Sequence, residues 1–385
     1  MKNSKLSRNV QAIETSGIRK FHNKVPQVKG AISLTLGQPD FPVPPKIKEA
    51  IVKALNENKT VYTPNPGIPE LRSEISKYLE NFNINYSGDE ICVTVGGSEG
   101  IMSILAAIIN SGDKVMVPDP AFPAYLNCAK LYGATIIKYD LVGENFEIDY
   151  KQIEDIISKE KPKILVMSYP CNPTGAILDK EGAEKLHKII KDNDILVVTD
   201  EIYSALCYED NYYSIAQYSD IRDKIILVSG FSKTFSMTGL RIGYICASGE
   251  VMEGIMKTHL YAVTCAPSIC QYGVYEGLRN CLEDVEYMKN EFKKRRDYIY
   301  KALKDIGFEV SLPKGAFYIF PSIKKYNLSS EEFCDRLLRE GKVAIIPGSA
   351  FGKNGEGFAR ISYAYSMEEL QTSIDRIDKW INKNF

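Results

Sequence analysis

Short apolar runs recur between about residues 90 and 250, each bounded by polar or turn-forming residues. They are ICVTV (91–95), KVMVP (114–118), ATIIKYD (134–140), KILVMS (163–168), ILVVTD (195–200), IILVS (225–229) and RIGYICA (241–247). Their length and β-branched content predict strands. Segments of helical length and period separate most of them, such as KEGAEKLHKIIKDND (180–194). This alternation predicts an α/β fold with a mainly parallel, seven-stranded sheet between helices. The central runs carry few polar residues, as strands covered on both faces do. A long polar helical stretch (280–307) leads to GAFYIF (315–320), VAIIP (343–347), FARISY (358–363) and a closing helix at 367–385. That second group predicts a smaller α+β domain.

The first 45 residues follow neither period. LTLGQPDFPVPP (34–45) reads as extended chain, with Gly37 where the backbone approaches another group closely. A chain of 385 residues exceeds one compact core. The expected division is an N-terminal arm (1–45) joining the small domain, a large domain (46–285) and a small C-terminal domain (286–385).

In open parallel sheets, ligands gather at the carboxyl ends of the strands. The residues just after each run are therefore the candidates. They are Gly96-Gly97-Ser98, Asp119-Pro120-Ala121-Phe122, Tyr169-Pro170-Cys171-Asn172, Asp200-Glu201-Ile202-Tyr203 and Gly230-Phe231-Ser232-Lys233. GGSEG (96–100) opens a helix and offers backbone N–H groups to a phosphate. By itself it reads equally as a tight turn, and it is neither a dinucleotide fingerprint nor a Walker loop. Lys233, placed in a small-residue turn after a buried strand, can lose its proton and attack a carbonyl; otherwise it is a surface cation. Arg241, read as part of a strand, needs an anion, and a phosphate between the glycine turn, Ser232 and Arg241 would supply it. Asp200 at the buried end of its strand needs a partner such as a pyridinium N–H, or else caps a helix.

Composition narrows the classes. Hydrophobic residues make up 44% and charged residues 25%, and the net charge is −1. No basic footprint for nucleic acid or an anionic membrane surface is present. Residues 1–17 lack an apolar core, so no secretory signal is expected. The longest apolar stretch, IMSILAAII (101–109), is too short to span a bilayer and reads as a buried helix. Nine cysteines without a C-x-x-C pattern read as reduced thiols in a cytoplasmic protein. The three histidines, His22, His187 and His259, have no metal-ligand spacing, so no metal is expected. No G-x-S-x-G elbow supports a hydrolase.

Taken together, LGQPDF (36–41), YTPNPGIPELR (62–72), GGSEGI (96–101), PDPAFPAY (118–125), YPCNPTG (169–175), DEIY (200–203), SGFSKTFSMTGLRIGY (229–244), KGAFYIF (314–320) and ARISYA (359–364) resemble a pyridoxal-phosphate enzyme of the aspartate aminotransferase superfamily, fold type I. The resemblance covers essentially the whole chain, and the ordered set is far more specific than any member. More closely, it looks like a bacterial aromatic-amino-acid or N-acetyl-diaminopimelate aminotransferase.

The resemblance implies roles. Lys233 carries pyridoxal 5'-phosphate and afterwards moves a proton as general base. Arg241, Ser232, Gly97 and Ser98 hold the phosphate. Asp200 pairs with the ring nitrogen, Asn172 and Tyr203 bond the ring's phenolic oxygen, and Phe122 stacks on its face. Arg360 clamps the substrate α-carboxylate, helped by the Gly37 backbone; its bland alternative is a surface ion pair. Tyr62 reaches the phosphate from a partner subunit, implying a homodimer. The expected substrates are an amino acid and a 2-oxo acid such as 2-oxoglutarate. Some aspartate-specific members carry lysine where Ser98 stands, which argues against a strict aspartate preference. The alternatives are an aspartate aminotransferase or a same-fold C–S β-lyase. Such lyases often have His in place of Tyr203, which favours transamination here.

Overall fold

The computed structural model describes residues 4–385; residues 1–3, the start of the expected N-terminal arm and of the signal-free segment, lie outside the described residues. The strands, in chain order, are β1 (Ile32–Ser33), β2 (Ile91–Thr94), β3 (Lys114–Asp119), β4 (Thr135–Val142), β5 (Glu147–Ile148), β6 (Ile164–Ser168), β7 (Leu196–Asp200), β8 (Ile225–Gly230), β9 (Gly243–Cys246), β10 (Tyr318–Ile319), β11 (Val343–Ala344), β12 (Ile346–Pro347) and β13 (Ala359–Ser362).

All seven expected strands lie in one sheet, in the order β2-β9-β8-β7-β6-β3-β4-β5. The sheet has eight strands because the two-residue β5 pairs antiparallel with the end of β4, adding an edge strand too short for the sequence pattern to reveal. β8, β7, β6, β3 and β4 are parallel neighbours. β9 runs antiparallel to both β2 and β8, so its amino end lies at their carboxyl ends. Gly243 therefore stands opposite both Thr94 and Gly230.

Strands β2, β6, β8 and β9 are buried at every position. Helices cover both faces, which is why these runs are continuously apolar rather than alternating. The helix Gly96–Ile108 presses Ile101, Ile104 and Leu105 into a cluster with Val117, Val166, Val228 and Ile245. Each such side chain contributes about 1.5–3 kcal/mol by leaving water. That packing fixes where the helix begins, directly after β2.

The polar stretch at 280–307 is one helix, Leu282–Ile306, preceded by the helix Ser268–Asn280 and parted from it at Cys281. Beyond it, β10, β13 and β12 form a small antiparallel sheet. The N-terminal segment joins this region: β1 pairs in parallel with β11. Residues 34–44 then run on without regular structure until a helix starts at Pro45. In this strap Gly37 does approach another group closely. A Cβ there would lie 2.0 Å from the Tyr318 hydroxyl.

Two local expectations are corrected. Gly230 does not follow the strand but completes β8, and Phe231–Thr234 is a single helical turn carrying Ser232 and Lys233. Arg241 does not lie in a strand. It precedes β9 by two residues, with φ at 55° in the left-handed region. The chain must reverse between the Phe231 helix and the antiparallel β9, and Arg241 closes that reversal.

Candidate active site

The carboxyl edge of the sheet gathers the candidate side chains. Lys233 projects from the helical turn after β8, and its Nζ donates to the Gly37 carbonyl at 2.6 Å. Burial lowers its pKa to about 8, aided by the Arg241 and Arg360 charges and opposed by Asp200. This lysine gives up its proton far more readily than a surface lysine, reaching half free amine near pH 8.

Asp200 ends β7 and is buried. Its Oδ2 accepts from the Tyr125 hydroxyl at 2.7 Å and its Oδ1 from the Ile202 N–H at 3.1 Å. Burial raises its pKa, while the Tyr125 and Ile202 bonds and Lys233 pull the other way. Among the described residues no cation lies within ion-pairing distance of this carboxylate. A buried carboxylate held by hydroxyl and amide donors is suited to receive a cationic N–H.

Arg360 lies on β13 and is 2% exposed. Nη1 donates to Asn172 Oδ1 at 2.9 Å, Nη2 donates to the Thr35 carbonyl at 2.6 Å, and Nε has no partner. The guanidinium stacks 4.4 Å from the Tyr318 ring centroid and 4.9 Å from that of Phe351. Burial lowers its pKa. It is a buried cation without a carboxylate, so the surface ion-pair alternative falls away. Asn172, engaged through Oδ1, keeps its amide N–H₂ group for another acceptor.

The Tyr203 hydroxyl shares a 2.8 Å hydrogen bond with that of Tyr318, and burial raises the Tyr203 pKa well above its usual value. Phe122 is half-buried and meets Tyr125 edge-on, ring centroids 5.9 Å apart.

The glycine turn sits against Arg241. Gly96 has φ 71°, and a Cβ there would lie 2.5 Å from Arg241 Nη2, so glycine is required on both counts. Arg241 spends Nη1 on the Thr238 carbonyl at 2.9 Å. Ser98 is exposed and Gly97 half-buried at the amino end of the Gly96 helix; Ser232 is buried one residue before Lys233. This cradle fits a phosphate: a helix N-terminus, a guanidinium and hydroxyls around glycines that admit close approach. Tyr62 stands apart from all of these, 82% exposed.

Sequence reasoning missed three contributors. Tyr125 lies inside the quoted PDPAFPAY, three residues after Phe122, but only the fold brings its hydroxyl to Asp200. Tyr318 lies inside KGAFYIF and joins Tyr203, Gly37 and Arg360. Thr35 acts through its carbonyl, which no side-chain pattern encodes.

A reactive lysine, a buried carboxylate, a phosphate cradle and a buried arginine define an enzyme handling an amine-to-carbonyl exchange on a phosphorylated cofactor. The family model for aminotransferase class I and II matches residues 29–377. A Bacillus subtilis relative bearing the name "Probable N-acetyl-LL-diaminopimelate aminotransferase" is 41% identical, with 98% of this chain and 96% of that protein covered. An aspartate aminotransferase of Pyrococcus abyssi is 39% identical, with 97% of each covered. The crystal structure of an aromatic aminotransferase from Pyrococcus horikoshii superposes with a TM-score of 0.89 at 36% identity, covering 94% of this chain and 99% of that one. The chain belongs to the class I and II aminotransferases. Its cofactor is pyridoxal 5'-phosphate, its fold is type I, and its substrates are amino and 2-oxo acids.

Proposed function

We propose that the enzyme transfers the amino group of an aromatic or N-acetyl-diaminopimelate-like L-amino acid to a 2-oxo acid such as 2-oxoglutarate. The observation that carries the amino-acid part of this reading is Arg360, a buried guanidinium with no carboxylate partner among the described residues and an unpartnered Nε. A buried charge left so is costly unless a ligand completes it, and an α-carboxylate does so by charge-assisted bonds.

The bound cofactor would supply an electron sink for the substrate's Cα–H bond. The chain's residues would do the rest. Asp200 would take the ring nitrogen and favour its proton. Asn172 and Tyr203 would donate to the ring oxygen. Phe122 would cover the ring face. Arg241, Ser232, Gly97 and Ser98 would hold the phosphate. Lys233 would hold the cofactor and, when freed by substrate, would move the proton at Cα, for which its depressed pKa suits it. Arg360 and the Gly37 backbone orient the α-carboxylate.

The side-chain end favours long donors. Ser98 supplies no fixed cation close to the cradle. A cavity of about 620 Å³ opens beside Phe122 and Tyr125, its wall carrying Lys20, Lys24, Lys130, Lys138 and Lys353 together with Glu14, Glu331 and Glu356. It has room for an aromatic ring or an acylated chain, and its mixed charges suit the acylated amine and carboxylate at the far end of an N-acetyl-diaminopimelate-like donor. No helix of the described residues is long and apolar enough to cross a membrane, and we place the enzyme in the cytoplasm as a homodimer of three-part chains: arm 1–45, large domain 46–285, small domain 286–385.

The test is a donor panel with 2-oxoglutarate as acceptor. N-acetyl-LL-diaminopimelate, phenylalanine or tyrosine is expected to exceed aspartate in kcat/KM. Aspartate outrunning all three would overturn the proposal.

A further inference from the structure

Behind the glycine turn lies an acid–imidazole pair, its histidine buried and its glutamate part-buried, that the chemistry above does not use. Glu99 stands in the first turn of the Gly96 helix. Its carboxylate accepts from the Val95 N–H at 3.0 Å and the Ser103 hydroxyl at 2.5 Å. It also accepts from His259 Nδ1, at 3.1 and 3.2 Å to its two oxygens. A carboxylate only accepts, so Nδ1 carries the hydrogen. His259 is fully buried on the helix Gly249–Val263, and its Nε2 has no partner. The ring is therefore anchored through Glu99 alone. A second tie joins the same helices: the Thr258 hydroxyl donates to the Ser103 carbonyl at 2.8 Å.

Burial works to raise the Glu99 pKa, but the bonds from His259, Ser103 and Val95 outweigh it and hold the carboxyl below its usual range. The amino end of the helix favours a negative charge in its first turn, although that charge would repel a bound phosphate. The bond from Val95 suggests what the charge does there. Val95 is the residue that enters the turn, at φ −77° and ψ 62°. Glu99 thus fixes the entering peptide without consuming the N–H groups of Gly97 and Ser98, which stay available to a phosphate.

We propose that Glu99 and His259 are positioning residues that hold the Gly96–Ser98 turn in its phosphate-binding conformation. The inference rests on the cofactor reading above. It requires that their loss be felt through the phosphate and not through the fold at large.

The experiment compares binding of pyridoxal 5'-phosphate with that of pyridoxal, which lacks the phosphate, by the absorbance of the Lys233 adduct. Thermal unfolding of each cofactor-free variant runs alongside. Glu99→Ala and His259→Ala are each expected to weaken the phosphorylated form about ten-fold, one charged hydrogen bond's worth, and pyridoxal by less than about two-fold. Glu99→Gln, which keeps an acceptor for Val95, is expected to recover part of the loss. An equal fall for both ligands would show a merely structural pair, and no change in either would show an idle one; both overturn the proposal. If the wild-type chain itself does not prefer the phosphorylated form, the phosphate-site reading fails first and takes this inference with it.

Discussion

Two side chains at the sheet edge have opposite electrostatic problems. Lys233 loses charge stability by burial and by two neighbouring guanidiniums, which puts its pKa at about 8 rather than the ordinary value near 10.4. The free-amine fraction of the cofactor-free chain should therefore rise with pH and reach half near pH 8. Labelling with an amine-reactive reagent, followed at the Lys233 peptide, should show that midpoint while surface lysines react only at higher pH. A midpoint shared with the surface lysines would deny the depression. Asp200 has the reverse problem: burial pushes its proton on, and Tyr125 helps keep it off. Tyr125→Phe removes a bond that the carboxylate accepts more strongly than the neutral acid, so the Asp200 pKa should rise. The acidic limb of kcat should move up by about one pH unit, from the loss of roughly 1.5 kcal/mol or so of hydrogen bonding, with the plateau little changed. An unmoved limb would mean that another group sets it.

At the scale of elements, the strap 34–44 closes over the sheet edge without regular structure, and its position depends on one missing side chain. A methyl at Gly37 would meet the Tyr318 hydroxyl, itself bonded to Tyr203. Gly37→Ala should push the strap outward, break the bond from Lys233 to the Gly37 carbonyl and raise KM for the amino acid while cofactor content holds. Adding Tyr318→Phe removes the clashing oxygen and should restore most of the affinity, a non-additivity read as a double-mutant cycle. If the double variant is no better than the single, the strap is set by other contacts. Much of this architecture is legible in the residues. Both-face burial writes β2, β3, β6, β7, β8 and β9 as apolar runs, and several of the groups after them line the site, while Asp119 and Glu201 are bonded elsewhere. The direction of β9 is not written in its composition, so Arg241 reads as strand although it belongs to the reversal before it. The Glu147–Ile148 edge is too short to show a period. Tyr125, Tyr318 and the Thr35 carbonyl matter only through strand order and through the pairing of β1 with β11, which local pattern does not encode.

At the scale of the whole molecule, the large side chains most open to water are not scattered. Val61 is 72% exposed, Tyr62 82% and Tyr261 90%. Their two segments are tied together: Ser268 Oγ donates to the Val61 carbonyl at 2.7 Å, and Asn65 Nδ2 to the Thr264 carbonyl at 2.9 Å. An apolar edge held rigid yet left bare is what a chain offers to a second copy. On the homodimer proposal, Tyr62 serves the partner's phosphate cradle and is idle in its own. That arrangement makes a sharp prediction for mixed variants. Lys233→Ala dimers lack the amine in both sites, and Tyr62→Ala dimers lack the phenol in both. In a hybrid, the chain that keeps Lys233 receives Tyr62 from its partner, so one site is intact and the other lacks both groups. Random reassortment makes half the dimers hybrid, each with one good site, so mixing should restore about a quarter of wild-type activity under C2 pairing. The parents should remain low when assayed alone, and a mixture kept from exchanging subunits should stay at their average. If exchange occurs, shown by tagged chains co-purifying, and activity stays at the parental average, then Tyr62 acts within its own chain or not at all.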